Sequence, residues 1–128
     1  MAKAIQLTVE CENRPGTLAH LARSLGEAKV NILAFQAGTL GAEGRVHVLV
    51  DNVNRAKKAL ESAGFSYTED TVLRVELPDV PGALGAYAGK LAAKGINITA
   101  AYGTVSKKAK KAGLVFVVSD LATAAKVR

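Results

Sequence analysis

The sequence predicts an α+β fold built from two tandem βαββαβ units. Three observations predict it: an internal repeat, hydrophobic periods that switch between strand and helix in the same order in each copy, and Pro and Gly at matching junctions. Asn13-Arg14-Pro15-Gly16-Thr17-Leu18 returns 66 positions on as Asp79-Val80-Pro81-Gly82-Ala83-Leu84. At the same offset Val30-Asn31-Ile32 falls on Ile96-Asn97-Ile98, and 11 of the 33 residues from 5 to 37 are identical in the second copy. Identities in that order mark a duplicated structural unit. Farther along the offset becomes 68, with Val46–Asp51 facing Leu114–Ser119. The two extra residues fall in a lysine-rich stretch, where a loop tolerates insertion.

The elements follow in order. Ile5, Leu7, Val9 and Cys11 alternate with Gln6, Thr8 and Glu10, the period of a strand with one buried face. Pro15 and Gly16 come next, and Pro suits the first helical turn. Leu18, Leu21, Ala22, Leu25 and Ala28 recur at helical spacing, which predicts an amphipathic helix over Pro15–Ala28. Asn31–Ala37 reads as a strand, and Gly38, Gly41 and Gly44 supply a turn. Arg45–Asp51 is the next strand, with Val46, Val48 and Val50 on one face. A helix over Asn54–Ala63 stops at Gly64, and Ser66–Glu69 is a short strand. This order is the split ferredoxin-like motif.

The second copy repeats it: strand Val72–Leu77, helix Pro81–Lys94 with Gly95 as its stop, strand Asn97–Val105, strand Leu114–Ser119, and a helix from Leu121. The units are expected at residues 1–69 and 70–128, the second incomplete at its C-terminus because the counterparts of Glu61–Glu69 are absent. In this motif the last strand pairs beside the first. Its loss predicts a bare edge on Val72–Leu77, to be covered by a partner chain. Leu114-Val115-Phe116-Val117-Val118 is apolar on both faces, a second reason to expect a homodimer.

Charge and composition narrow the function. The net charge is +6, and Lys107, Lys108, Lys110 and Lys111 form a short cluster, with Lys57 and Lys58 on a predicted helix. Aromatics are 5% and tryptophan is absent, so a base-stacking platform is poorly supplied and nucleic acid is not the expected partner. The single cysteine, Cys11, excludes an internal disulfide framework and reads as a small core residue. No apolar run approaches the roughly 20 residues of a membrane span, and the first residues lack a secretory apolar core, so a soluble cytoplasmic protein is expected. His20 and His47 have no counterpart in the other copy and no acidic neighbour in the pattern. No nucleophile–base, metal or P-loop arrangement can be assembled, so neither enzymatic activity nor a cofactor is expected.

The repeated residues carry the chemistry. Gly beside a strand-to-helix junction lets a ligand approach the backbone, and the free N–H groups of the first helical turn favour a carboxylate. Asn13 or Asp79, two residues before Pro, can accept from an ammonium group. Asn31 and Asn97 offer both donor and acceptor at the start of the next strand. Carboxylate and ammonium on one small molecule describe an amino acid. The same residues also suit a plain tight turn in which Asn13 and Asp79 hold local backbone N–H groups.

With these two copies, the chain resembles a tandem pair of ACT domains, small regulatory modules that bind amino acids and control metabolic enzymes. The resemblance covers nearly the whole chain and resembles stand-alone tandem members, with no catalytic domain attached. It implies two units side by side, their second strands meeting in one extended antiparallel sheet with helices on one face, and effectors at that junction. By motif, Asn13, Pro15 and Gly16 would face Asn97 in one site, and Asp79, Pro81 and Gly82 would face Asn31 in the other. The serine-binding type carries a histidine two residues before the loop asparagine, where this chain has Cys11 and Leu77. The resemblance implies a regulated enzyme or transcription factor as partner. Two other readings share this topology. One is a ligand-free protein-interaction or nucleic-acid module. The other is an acylphosphatase, for which Arg14 is in the right loop but Val80 replaces it in the second copy, and the phosphate-cradling glycines are missing.

Overall fold

The structure, a computed structural model, describes residues 2–106, 108 and 110–128. Lys107 of the lysine cluster lies outside the described residues. The elements are β1 (Ala2–Glu12), α1 (Thr17–Glu27), β2 (Ile32–Leu40), β3 (Glu43–Val50), α2 (Val53–Ser62), β4 (Ser66–Pro78), α3 (Ala83–Ala93), β5 (Ile98–Ser106), β6 (Lys111–Val118) and α4 (Leu121–Ala124). They divide into two compact units. The first is Ile5–Asp70, and the second is Thr71–Arg128 together with residues 2–4.

In the first unit the strand order is β2-β3-β1-β4. Leu7 pairs with Val48 and Val9 with Val46 across β1 and β3, while Phe35 and Ala37 of β2 meet the same two valines from the other side. Leu7, Val9, Val46 and Val48 thus share one face. They are buried with Leu21 and Leu25 of α1 and with Ala56 and Leu60 of α2. The helix α2 is capped at its N-terminus and α1 at its C-terminus. Asn52 Oδ1 accepts from Arg55 N–H at 3.0 Å to start α2, an N-cap worth about 1 kcal/mol. At the other end of α1, Val30 N–H returns to the Leu25 carbonyl at 2.9 Å, and Lys29 takes the left-handed backbone with φ 60°.

In the second unit β4 stands between β1 and β6, and β6 pairs with β5. Leu73 and Val75 of β4, Tyr87 and Leu91 of α3, Phe116 of β6 and Ala124 of α4 form its core. Asp120 caps the short α4 by accepting from Thr123 N–H at 3.1 Å.

Four expectations are corrected. Ser66–Glu69 and Val72–Leu77 are one strand, because no Gly or Pro separates them and Thr71 and Val72 are β-branched. Val72–Leu77 has no bare edge: β1 lies beside β4, and residues 2–4 of β1 belong to the second unit. Both faces of β6 are covered at its middle without a partner chain, Val115 at 4% and Phe116 at 1% exposure, so this strand is no longer a reason to expect a homodimer. Finally, Gln6 and Thr8 are not on an exposed face; they are 1% and 9% exposed.

Candidate functional site

Each repeated loop is built by the same backbone device. Gly16 has φ 89°, ψ −11° and Gly82 φ 87°, ψ −10°. This left-handed conformation suits glycine, and it places the helix start at Thr17 and Ala83 rather than at the prolines. Neither helix has a side-chain cap. Thr17 N–H reaches the Arg14 carbonyl at 3.4 Å, and Ala83 N–H the Val80 carbonyl at 3.3 Å. His20 and Ala86 N–H close the first turns onto Gly16 and Gly82 at 2.9 Å each. Among the described residues the N–H groups between them, on Leu18 and Ala19 and on Leu84 and Gly85, have no protein acceptor. A carboxylate placed there would meet unpaired donors at the positive end of a helix.

The side chains of the two loops differ. Asn13 donates its amide to the Gly41 carbonyl at 3.3 Å, and its N–H goes to the Ala42 carbonyl at 3.0 Å. Its side chain therefore ties the loop to the β2–β3 turn. Asp79 N–H makes the matching bond to the Lys110 carbonyl at 3.1 Å, but among the described residues its carboxylate has no partner. Arg14 holds Glu12 at 3.1 Å with both side chains exposed, an arrangement worth little to stability.

The two asparagines stand one residue before their strands and are latched through the backbone. Asn31 N–H donates to Asp51 Oδ1 at 2.9 Å and its carbonyl accepts from Asp51 N–H at 3.1 Å. Asn97 does the same with Ser119, its N–H donating to Oγ at 2.9 Å. Both side-chain amides are exposed and, among the described residues, without a partner. The expected meeting of the two second strands is corrected: among the described residues β2 pairs with β3 alone and β5 with β6 alone, so they do not meet within the chain, and each unit keeps an open strand edge next to its asparagine.

In the first unit a recess of about 160 Å³ lies between the loop and the two hairpin strands, lined by Asn13, Arg14, Thr17, Leu18 and Thr39 among others. The family model of an ACT domain pair matches residues 2–127. The chain belongs to the ACT domain family. None of the curated proteins matches it. Among solved structures it is similar to protein BT0572 from Bacteroides thetaiotaomicron, with 27% identity and a TM-score of 0.91 over 98% of this chain and 85% of that one. It is also similar to the regulatory subunit of aspartate kinase from Thermus thermophilus in its ligand-free form, with 16% identity and TM-score 0.69 over 91% and 87% of the two chains. The same subunit from Thermus flavus gives 18% and 0.63 over 98% and 92%.

The remaining chemistry-bearing residues of this ACT pair are engaged in packing. His20 stacks against Phe65, ring centroids 5.1 Å apart. Cys11 packs on the edge of the first core, and burial pushes its thiol pKa up, away from reactivity. His47 is the residue whose surroundings sequence reasoning missed. Its Nδ1 lies 3.1 Å from both Gln6 Nε2 and Thr8 Oγ1, and Gln6 Nε2 also donates to Thr8 Oγ1 at 3.2 Å. Burial, then the Arg45 charge, lowers the His47 pKa, with Asp70 opposing. The available signal was the register: Thr8 faces His47 directly across β1 and β3.

Proposed function

We propose that this ACT pair is a non-catalytic regulatory module, held in the cytoplasm, that binds a free amino acid at its Pro-Gly loops. One observation carries the reading: the uncapped first turn of α3 and the Asp79 carboxylate, without a partner among the described residues, present donor and acceptor from one short loop. The ligand carboxylate sits on the Leu84 and Gly85 N–H groups, with Pro81 and Gly82 shaping the approach. The ammonium group sits on Asp79. The first loop, with Asn13, Pro15 and Gly16, offers the same backbone and a weaker acceptor.

The asparagines come from a second copy of the chain. The open edges of β2 and β5 support such a homodimer, in which Asn97 closes the site of the first loop and Asn31 that of the second. The regulatory subunits of aspartate kinase among the similar structures support the idea that the bound state is read by an enzyme partner. The test is calorimetry with each of the twenty amino acids. Binding of at least one, weakened in Asp79→Ala, is the expected result. No binding by any of them would overturn the reading.

A further inference from the structure

Resting on that reading, we infer that the two units take chemically different ligands, and that the second selects an amino acid with an aliphatic side chain. The recess beside the first loop has a matching set of positions in the second unit, fixed by the repeat offsets and by strand register. Ala37 pairs with Val46 and Thr39 with Gly44 in the first unit; Gly103 pairs with Leu114 and Val105 with Ala112 in the second. The correspondence is therefore structural as well as sequential.

The residues at these matched positions change character together. Glu12 and Arg14, an ion pair in the first unit, become Pro78 and Val80. Thr17 becomes Ala83, and Thr39 becomes Val105. Two charges and two hydroxyls are replaced by apolar groups, while Leu18 and Leu84 are kept. The acceptor becomes more polar, from Asn13 to Asp79, and Gly38 becomes Thr104, which alternates with Val105 along β5 and so stands on the opposite face of the strand. Val80, Leu84 and Val105 are 58%, 53% and 52% exposed. Three large apolar side chains open to water at the positions that match the first recess, with a carboxylate in the same loop that has no partner among the described residues, fit a ligand with an ammonium group and an apolar body. A ligand with a polar side chain would lose water there and find no partner in Val80, Ala83, Leu84 or Val105. In the first recess, Arg14, Glu12 and the two threonines can supply those partners.

The experiment is titration calorimetry with L-leucine and L-serine on the full chain. L-leucine is expected to bind at one site per chain and more tightly than L-serine at that site. Val80→Arg and Val105→Thr, which give the second recess the first unit's residues, should each weaken L-leucine by about tenfold. Lys58→Ala, on the exposed side of α2 and away from both loops, should leave L-leucine unchanged. Melting curves check that each variant folds. Equal binding of leucine and serine, or leucine affinity untouched by both variants, would overturn the inference while leaving amino-acid binding intact. If Val80→Arg alters sedimentation but not leucine affinity, the apolar surface serves chain association and the inference also falls. Failure of every amino acid to bind would remove the underlying reading with it.

Discussion

The loops at Asn13–Thr17 and Asp79–Ala83 share a backbone and differ in what their side chains do. Their glycines agree within 2° in φ, and their hydrogen bonds to neighbouring turns match one for one. Yet Asn13 is tied to the β2–β3 turn while Asp79 is free of protein partners among the described residues. The difference teaches that the repeated motif specifies a shape first. Chemistry is then added by one or two positions within that shape, and it need not be the same in both copies.

The largest effect that should separate the loops is on ligand affinity. Asp79→Ala removes a charged hydrogen-bond acceptor and should cost roughly 1.5–3 kcal/mol, or about ten- to a hundredfold in binding. Its melting temperature should stay put. Asn13→Ala should behave the other way, losing up to about 1 kcal/mol of stability with its exposed bond to Gly41. Calorimetry and thermal melts on both variants decide this. Equal behaviour would mean that the side-chain difference between the loops has no functional content.

The next effect tests the shared backbone. Gly16→Ala and Gly82→Ala each force an L side chain to positive φ, at a cost of roughly 1–2 kcal/mol. A Cβ at either position meets nothing within 4 Å, so the cost is conformational and should be the same in both loops. A bulky residue such as valine would confuse strain with blocking of a ligand, which makes alanine the cleaner probe. Urea midpoints that differ between the two variants would break the equivalence of the loops.

The repeat, the helix faces and the Pro-Gly junctions were legible in the sequence because each is a local pattern. What was not legible depends on pairing at a distance. Nothing in Ala2-Lys3-Ala4 says that it will lie in the second unit, yet it does. Nor does the alternation in Ile5–Cys11 say that Gln6 and Thr8 will be buried along with Leu7 and Val9. A period of two reports which residues share a face; it cannot report that both faces are covered. The candidate site was legible in its loop residues, whereas the recess beside the first loop required the register of β2 and β3.

A smaller stability effect compares the helix ends that precede Asn31 and Asn97. Both turns return an N–H to the fifth residue back, Val30 to Leu25 and Ile96 to Leu91. The left-handed residue between is Gly95 in the second unit, at φ 71°, and Lys29 in the first, at φ 60°. Lys29→Gly should relieve the side-chain penalty and lose part of that gain to greater freedom of the unfolded chain, for a net of about 0.5–1 kcal/mol. A rise in the urea midpoint checks it. An unchanged or lowered midpoint would mean that the lysine side chain stabilises this turn in a way the second unit does without.

The last comparison sets His47 against Val115, its counterpart 68 positions on. Val115 is buried and apolar; His47 is built into a polar cluster with Gln6 and Thr8. An amide Nε2 can only donate, so the 3.1 Å contact makes His47 Nδ1 the acceptor and places the ring proton on Nε2. Protonating Nδ1 sets donor against donor beside a Gln6 that is 1% exposed. Burial and Arg45 both oppose the charged form, which is why the folded pKa is lowered despite Asp70. With the folded pKa below the unfolded value of about 6.5, the unfolded chain binds more protons in that range. Stability from this group is then complete above the unfolded pKa and is lost as pH falls through the folded one. Urea midpoints from pH 7.5 to 5 should fall more steeply in the wild type than in His47→Gln, which cannot titrate. Parallel slopes would mean that His47 rearranges freely on protonation, and that the polar cluster imposes no constraint the second unit's valine does not.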